Sequence, residues 1–264
     1  MKKKGIALVE RQYLFPFVLI TSLFFLWGFA HAILDVLNKH FQELLTITRT
    51  HSAMIQATMY MGYFIMAIPA GLFINRHGYR KGVVLGLLLY GIGSLLFIPG
   101  QYIASFNMFL FSLFVIGCGL TFLETAANPY VTELGARETA ASRLNFAQSF
   151  NGLGCIFAPI LTGFLLFSDE EQGASGNVAL PYAVMGVIVL LAALAFMRVR
   201  LPEIPHEEEV DSEGHRVGLW AHKLFVFGLV ALFAYEVSEI SINSFFINYV
   251  TEVGWMNARD ASVV

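Results

Sequence analysis

The sequence predicts an all-α, polytopic membrane protein, and three observations carry that prediction. The chain is 57% hydrophobic and only 13% charged, about half the charged share of an ordinary soluble domain. Its apolar residues fall into blocks of roughly 20, the length that crosses a bilayer as a helix. Its Lys and Arg residues gather on alternate connections, as they do on loops that stay in the cytoplasm.

Seven blocks qualify, at approximately 13–37, 52–74, 82–100, 105–131, 144–167, 179–198 and 219–250. The first follows a basic start, and Ala30-His31-Ala32 resembles a small-x-small processing site. The run is longer than the roughly 7–15 residues of a signal core and holds Trp27 near its end, so it reads as a span. NRHGYRK parts the second and third blocks, SDEEQGASGN the fifth and sixth, and the acidic, proline-interrupted RLPEIPHEEEVDSEGHRVG the sixth and seventh. With the N-terminus in the cytoplasm, 13 of the 16 basic residues fall inside and only Lys39, Arg49 and Arg259 outside.

Other classes find little support. Cys118 and Cys155 both sit in apolar runs and read as packing residues, so neither a disulfide nor a metal site is expected. There is no basic stripe with interleaved aromatics, so no nucleic-acid partner is expected. No HExxH, nucleophile constellation or paired-carboxylate motif marks an enzyme, and no cofactor is implied. Seven spans invite comparison with a receptor. The cytoplasmic N-terminus argues against that reading, as does the lack of an outer domain or signalling tail.

Four carboxylates lie inside the blocks: Asp35, Glu124, Glu236 and Glu239. Each costs about 2.5–3.5 kcal/mol to insert, so such a group usually faces a cavity or a partner. Asp35 comes late in its block and either caps the span or faces a cavity. Glu236 and Glu239 are either structural partners of other helices or part of a polar face with Asn243. Glu124 lies about 13 Å from the inner end of the fourth helix at 1.5 Å per residue, near mid-membrane. Asn128 is one turn on, and Pro129 frees a carbonyl that can face a cavity. In RLNFAQSFNGLG, Asn145, Gln148 and Asn151 recur every three residues. That stripe is either interhelical glue or a set of donors and acceptors for adjacent hydroxyls. Trp27, Tyr60, Tyr63 and Tyr235 offer flat surfaces for a ring. Gly62, Gly71, Gly82, Gly86, Gly117, Gly119, Gly152 and Gly154 are positions where helices can approach closely.

GLFINRHGYRK resembles the connection between the second and third helices of the major facilitator superfamily, with Gly71, Arg76, Gly78, Arg80 and Lys81 in place. Asn75 stands where that pattern prefers Asp, which removes a charge from the cytoplasmic gating loop. A more particular resemblance is to the fucose–galactose–glucose:proton symporter branch. It rests on LFFLWGFAHAILDVL, MYMGYFIMAIPAG, FLETAANPY and LNFAQSFNGLG and covers nearly the whole chain. It implies Asp35 and Glu124 as proton-coupling carboxylates, with Gln148 and Asn151 in or beside a sugar cavity. Asn128, Glu239, Asn243 and Trp27 are added here as candidate substrate-binding residues. The seventh helix is closer to the glucose/galactose transporters, and Ala32 departs from an amide-bearing stretch of fucose permease. The family has two six-helix halves with substrate between them.

The expected domains are therefore 1–200, a six-helix N-terminal half; 201–218, a cytoplasmic linker; and 219–264, the seventh helix and the start of a second half that stops at ARDASVV. The implied function is proton-coupled uptake of a hexose (glucose, galactose or fucose) by alternating access across the bacterial cytoplasmic (inner) membrane. The expected partners are a monosaccharide, a coupling proton, the lipid bilayer and a C-terminal half. The alternatives are a non-transporting fragment of such a symporter and coupling to sodium, which the same carboxylates would serve.

Overall fold

The computed structural model describes residues 7–44, 47–166, 179–199 and 222–261. The expected linker at 201–218, the SDEEQGASGN segment and Lys2 to Lys4 lie outside those residues. What is described is helical throughout, apart from short turns and connections: α1 (Leu14–Leu44), α2 (Arg49–His77), α3 (Tyr79–Leu95), α4 (Phe97–Ile103), α5 (Phe106–Glu133), α6 (Ala140–Leu166), α7 (Ala179–Arg198), α8 (Lys223–Glu252) and α9 (Ala258–Ala261).

Local chemistry sets the helix ends. The Thr48 hydroxyl accepts from the His51 amide at 3.3 Å and starts α2. Ser105 likewise accepts from the Met108 amide at 3.4 Å and starts α5, each satisfying a donor that the first turn leaves unpaired. Gly78, at φ 85°, turns the chain between α2 and α3. The expected seven-residue connection there shrinks to this single residue, because both helices run on past the apolar block. The third block is two helices. They break at Leu96 because Pro99 has no amide hydrogen to return to the Leu95 carbonyl. Pro69, Pro129 and Pro159 lie inside α2, α5 and α6, which continue through them.

Six helices among the described residues are long and apolar enough to cross a membrane, α3 and α4 counting as one. Seven were expected. The fifth expected span, α6, is not among these six; its apolar second half runs up to the limit of the described residues.

The bundle is organised around two packings. α1 lies along α6, and α5 is flanked by α2 and α3, with α7 outside α3. Lipid offers no hydrophobic drive between helices, so close backbone approach matters. A Cβ on Gly28 would lie 2.1 Å from the Asn151 carbonyl oxygen, and one on Gly154 would lie 2.3 Å from that of Phe25. α1 and α6 therefore touch backbone to backbone. Gly71 and Gly152, expected to serve the same purpose, have nothing within 4 Å and face open space. The outward surface is apolar, as a lipid-facing surface must be: Phe64, Ile68 and Leu72 form one exposed stripe on α2.

Side chains from α3 and α4 clamp α7 at both ends. Gln101 Oε1 accepts from the Ala179 amide at 2.7 Å, while Arg80 donates to the carbonyls of Phe196 (3.1 Å) and Met197, complementing the negative end of the helix. Thus Arg80 of the expected gating loop is a helix cap here. Asn75, Arg76 and Lys81 are exposed.

Candidate functional site

A cavity of about 790 Å³ lies between α1, α2, α5, α6 and α8. Each helix contributes along one face. Trp27, His31, Ala32 and Val36 come from α1 at roughly one-turn spacing. Gln56, Tyr60 and Tyr63 come from α2 at the i, i+4, i+7 spacing of one stripe. α5 supplies Glu124, α6 supplies Asn151, Cys155 and Pro159, and α8 supplies Glu236, Glu239 and Asn243 among others.

Glu124 is partly buried in this wall. Among the described residues no side chain forms an ion pair or hydrogen bond with it, and the Glu236 carboxylate is near enough to act on it by like-charge repulsion. An unpaired carboxylate at that depth is tolerable only because it meets a cavity that admits water or a polar ligand. Asn151 is fixed by its own amide, which donates to the Phe24 carbonyl at 3.3 Å across the α1–α6 contact. Trp27 is fixed by its indole N–H, which donates to the Tyr63 hydroxyl at 3.0 Å. His31 sits in the same cluster, its ring centroid 5.9 Å from Trp27, 6.1 Å from Tyr60 and 5.6 Å from Tyr63.

Of the residues singled out from sequence, Trp27, Tyr60, Tyr63, Glu124, Asn151, Glu236, Glu239 and Asn243 share this cavity. Asp35 lies in α1, one turn beyond His31, and its side chain falls outside what is described. Gln148 and Asn128 are not among the residues that line this cavity; the Gln148 amide donates to Asn128 Oδ1 at 3.5 Å between α6 and α5. The reason is geometric. A three-residue spacing drifts by about 60° per step around an α-helix, so Asn145, Gln148 and Asn151 cannot all face one way. Asn145 is exposed, Gln148 meets α5 and only Asn151 reaches the cavity. Tyr235 is also outside the lining and exposed.

Sequence reasoning missed His31, Gln56 and Cys155. The signal for the first two was present as spacing, Trp27 to His31 and Gln56 to Tyr60 each being one turn. It also missed Arg143, a fully buried cation at the start of α6. Its guanidinium donates to the carbonyls of Val131 (3.1 Å), Thr132, Ala136 (3.1 Å) and Leu8 (3.2 Å), and to the Thr139 hydroxyl at 2.7 Å. It thereby closes the end of the helix that carries Glu124.

α8 meets the rest of the bundle toward its C-terminal end, where Ile247 and Val250 pack with Val36 of α1 and Ala261 of α9. Its first half is exposed almost throughout. Val36 and Ile247, which belong to the C-terminal contact, also line the cavity at that end.

The sequence pattern of the Major Facilitator Superfamily matches residues 17–263. A glucose/galactose transporter of Brucella abortus biovar 1 (strain 9-941) is 35% identical over 259 residues, 96% of this chain and 63% of that protein. The L-fucose-proton symporter of Escherichia coli (strain K12) is 34% identical over 267 residues, 92% of this chain and 61% of that protein. Among solved structures, that of the transporter FucP in the outward conformation superposes with a TM-score of 0.72 at 34% identity, covering 96% of this chain and 67% of that one. The chain thus spans less than two thirds of the length of these two curated relatives.

Proposed function

The chain belongs to the major facilitator superfamily, and on that premise we propose that it supplies the sugar-facing helices of a proton-coupled hexose symporter that works by alternating access. It is a multi-pass membrane protein, and its relatives are transporters. The observation that carries the reading is Glu124, a carboxylate without an ion-pair partner among the described residues, set in the wall of a cavity roomy enough for a hexose, which Asn151 also lines.

In this reading a proton on Glu124 removes the charge that penalises closing an apolar gate over it, and Asp35 exchanges that proton with the outside. Asn151, Glu239 and Asn243 take the sugar's hydroxyls, while Trp27 and Tyr63, locked by their hydrogen bond, offer the ring a flat wall. Asn128 and Gln148 act one layer back, holding α5 against α6. The basic-residue bias puts the N-terminus in the cytoplasm of a bacterial inner membrane. The Val36–Ile247–Val250 contact then lies toward the outer side. Residues 1–200 form one half, 201–218 a cytoplasmic linker and 219–264 the beginning of the other. Neither half acts as an enzyme. Sodium is the alternative coupling ion.

The share of its relatives' length that the chain covers favours a second reading, in which these helices bind sugar without moving it unless a further half is supplied. Uptake of radiolabelled D-galactose, D-glucose and L-fucose into proteoliposomes holding this chain, under an inward proton gradient, separates the two. Accumulation above the passive level that collapses with the gradient supports symport. Saturable binding without accumulation supports the second reading, and neither binding nor uptake contradicts both.

A further inference from the structure

His31 is a half-buried titratable residue of the cavity for which the mechanism above has no use. Its Nδ1 lies 3.2 Å from the Trp27 carbonyl oxygen. A carbonyl only accepts, so Nδ1 must carry the hydrogen, and in the neutral ring that leaves Nε2 as a bare acceptor. Among the described residues no protein group is hydrogen-bonded to Nε2. The Tyr63 ring is the nearest of the three aromatic rings; its hydroxyl oxygen accepts from the Trp27 indole and makes no hydrogen bond to Nε2. With Nδ1 turned back on its own helix, Nε2 is on the ring edge that faces away from the backbone, in a residue that lines the cavity.

We propose that His31 is a specificity-determining residue of the sugar site: its Nε2, held as an acceptor by the Nδ1–H bond to the Trp27 carbonyl, takes the hydrogen of one particular sugar hydroxyl. The inference rests on the sugar-binding reading above and adds to it. The Glu124 carboxylate, with two equivalent oxygens and no hydrogen-bond partner among the described residues, adapts to several hydroxyl positions. The His31 acceptor cannot turn. Its ring is wedged among Trp27, Tyr60 and Tyr63 and tied at the other nitrogen. A rigid acceptor discriminates strongly, because a ligand lacking the matching donor leaves a desolvated nitrogen unpaired.

Monodeoxyfluoro sugars test this, since fluorine replaces a hydroxyl at nearly the same size but cannot donate. Affinities of D-galactose and its 2-, 3-, 4- and 6-deoxyfluoro analogues are measured for this chain in nanodiscs, along with D-glucose and L-fucose. For the unaltered protein one analogue of galactose binds about tenfold more weakly than its fluorinated fellows, the scale of one hydrogen bond. His31→Gln, whose terminal carbonyl reaches the place of Nε2, keeps that selective loss. His31→Asn, which reaches only the place of Nδ1, abolishes it while leaving the other analogues in their original order. A purely structural His31 would weaken every sugar alike. The proposal is overturned if galactose binds but no analogue stands out, or if the Gln and Asn variants behave the same. Failure of all seven sugars to bind the unaltered chain overturns the sugar reading itself, and this inference with it.

Discussion

Glu124 and Arg143 are two buried charges accommodated in opposite ways. Arg143 has its donors matched to protein oxygens, four of them main-chain carbonyls, three of which lie at or just past the end of α5. Glu124 has no such partner among the described residues and faces the cavity. The first arrangement is structural and the second is chemical. Lysine cannot replace Arg143, since one compact ammonium does not reproduce a planar fork of donors, and each carbonyl left dry costs about 1–3 kcal/mol. Arg143→Lys is therefore expected to lower the thermal unfolding midpoint in detergent by several degrees, and Arg143→Ala by more; an unchanged midpoint in both contradicts the capping role. The acid was legible in the sequence because a carboxylate in an apolar run stands out whatever surrounds it. The arginine was not, because at the boundary of a block it looks like any cytoplasmic charge. His31 was hidden for a third reason: its meaning depends on Tyr60 and Tyr63, which come from another helix.

At the scale of elements, the spans were legible because lipid imposes one length and one polarity on every helix. Their ends were less so. α2 and α3 run through residues that looked like a loop, since a helix does not stop where the bilayer does. Close approach was half legible. Gly154 was noted, but its counterpart Gly28 was not, and Gly71 and Gly152 were credited with contacts that they do not make. Small residues permit contact, and only the partner's position decides whether it occurs. The α1–α6 crossing has no spare room, so Gly28→Leu is expected to separate the two helices, displace Asn151 and leave little folded protein after extraction. Gly152→Leu, with nothing within 4 Å, is expected to fold normally. Size-exclusion profiles of the two variants check this, and equal recovery of folded protein from both contradicts the backbone contact. The amide stripe of α6 shows the same limit. Its existence was plain, but which of its members reaches the cavity depends on helix rotation, which a repeat of three residues leaves open.

For the whole molecule, the fold class and family were legible because ETAANP and LNFAQSFN join chemistry to spacing over much of the chain. The cavity was legible only as a list of polar residues. Its shape depends on how the helices lean together, which no local pattern encodes. The central claim is that the cavity couples a proton on Glu124 to a sugar, and linkage makes that measurable without transport: if sugar and proton favour the same form, adding one draws in the other. The direct measurement is proton uptake on addition of D-galactose or D-glucose to this chain in weakly buffered solution near pH 7, compared with Glu124→Gln. The account predicts uptake by the unaltered chain and none by the variant, which still binds sugar. Equal proton uptake by both proteins would contradict it.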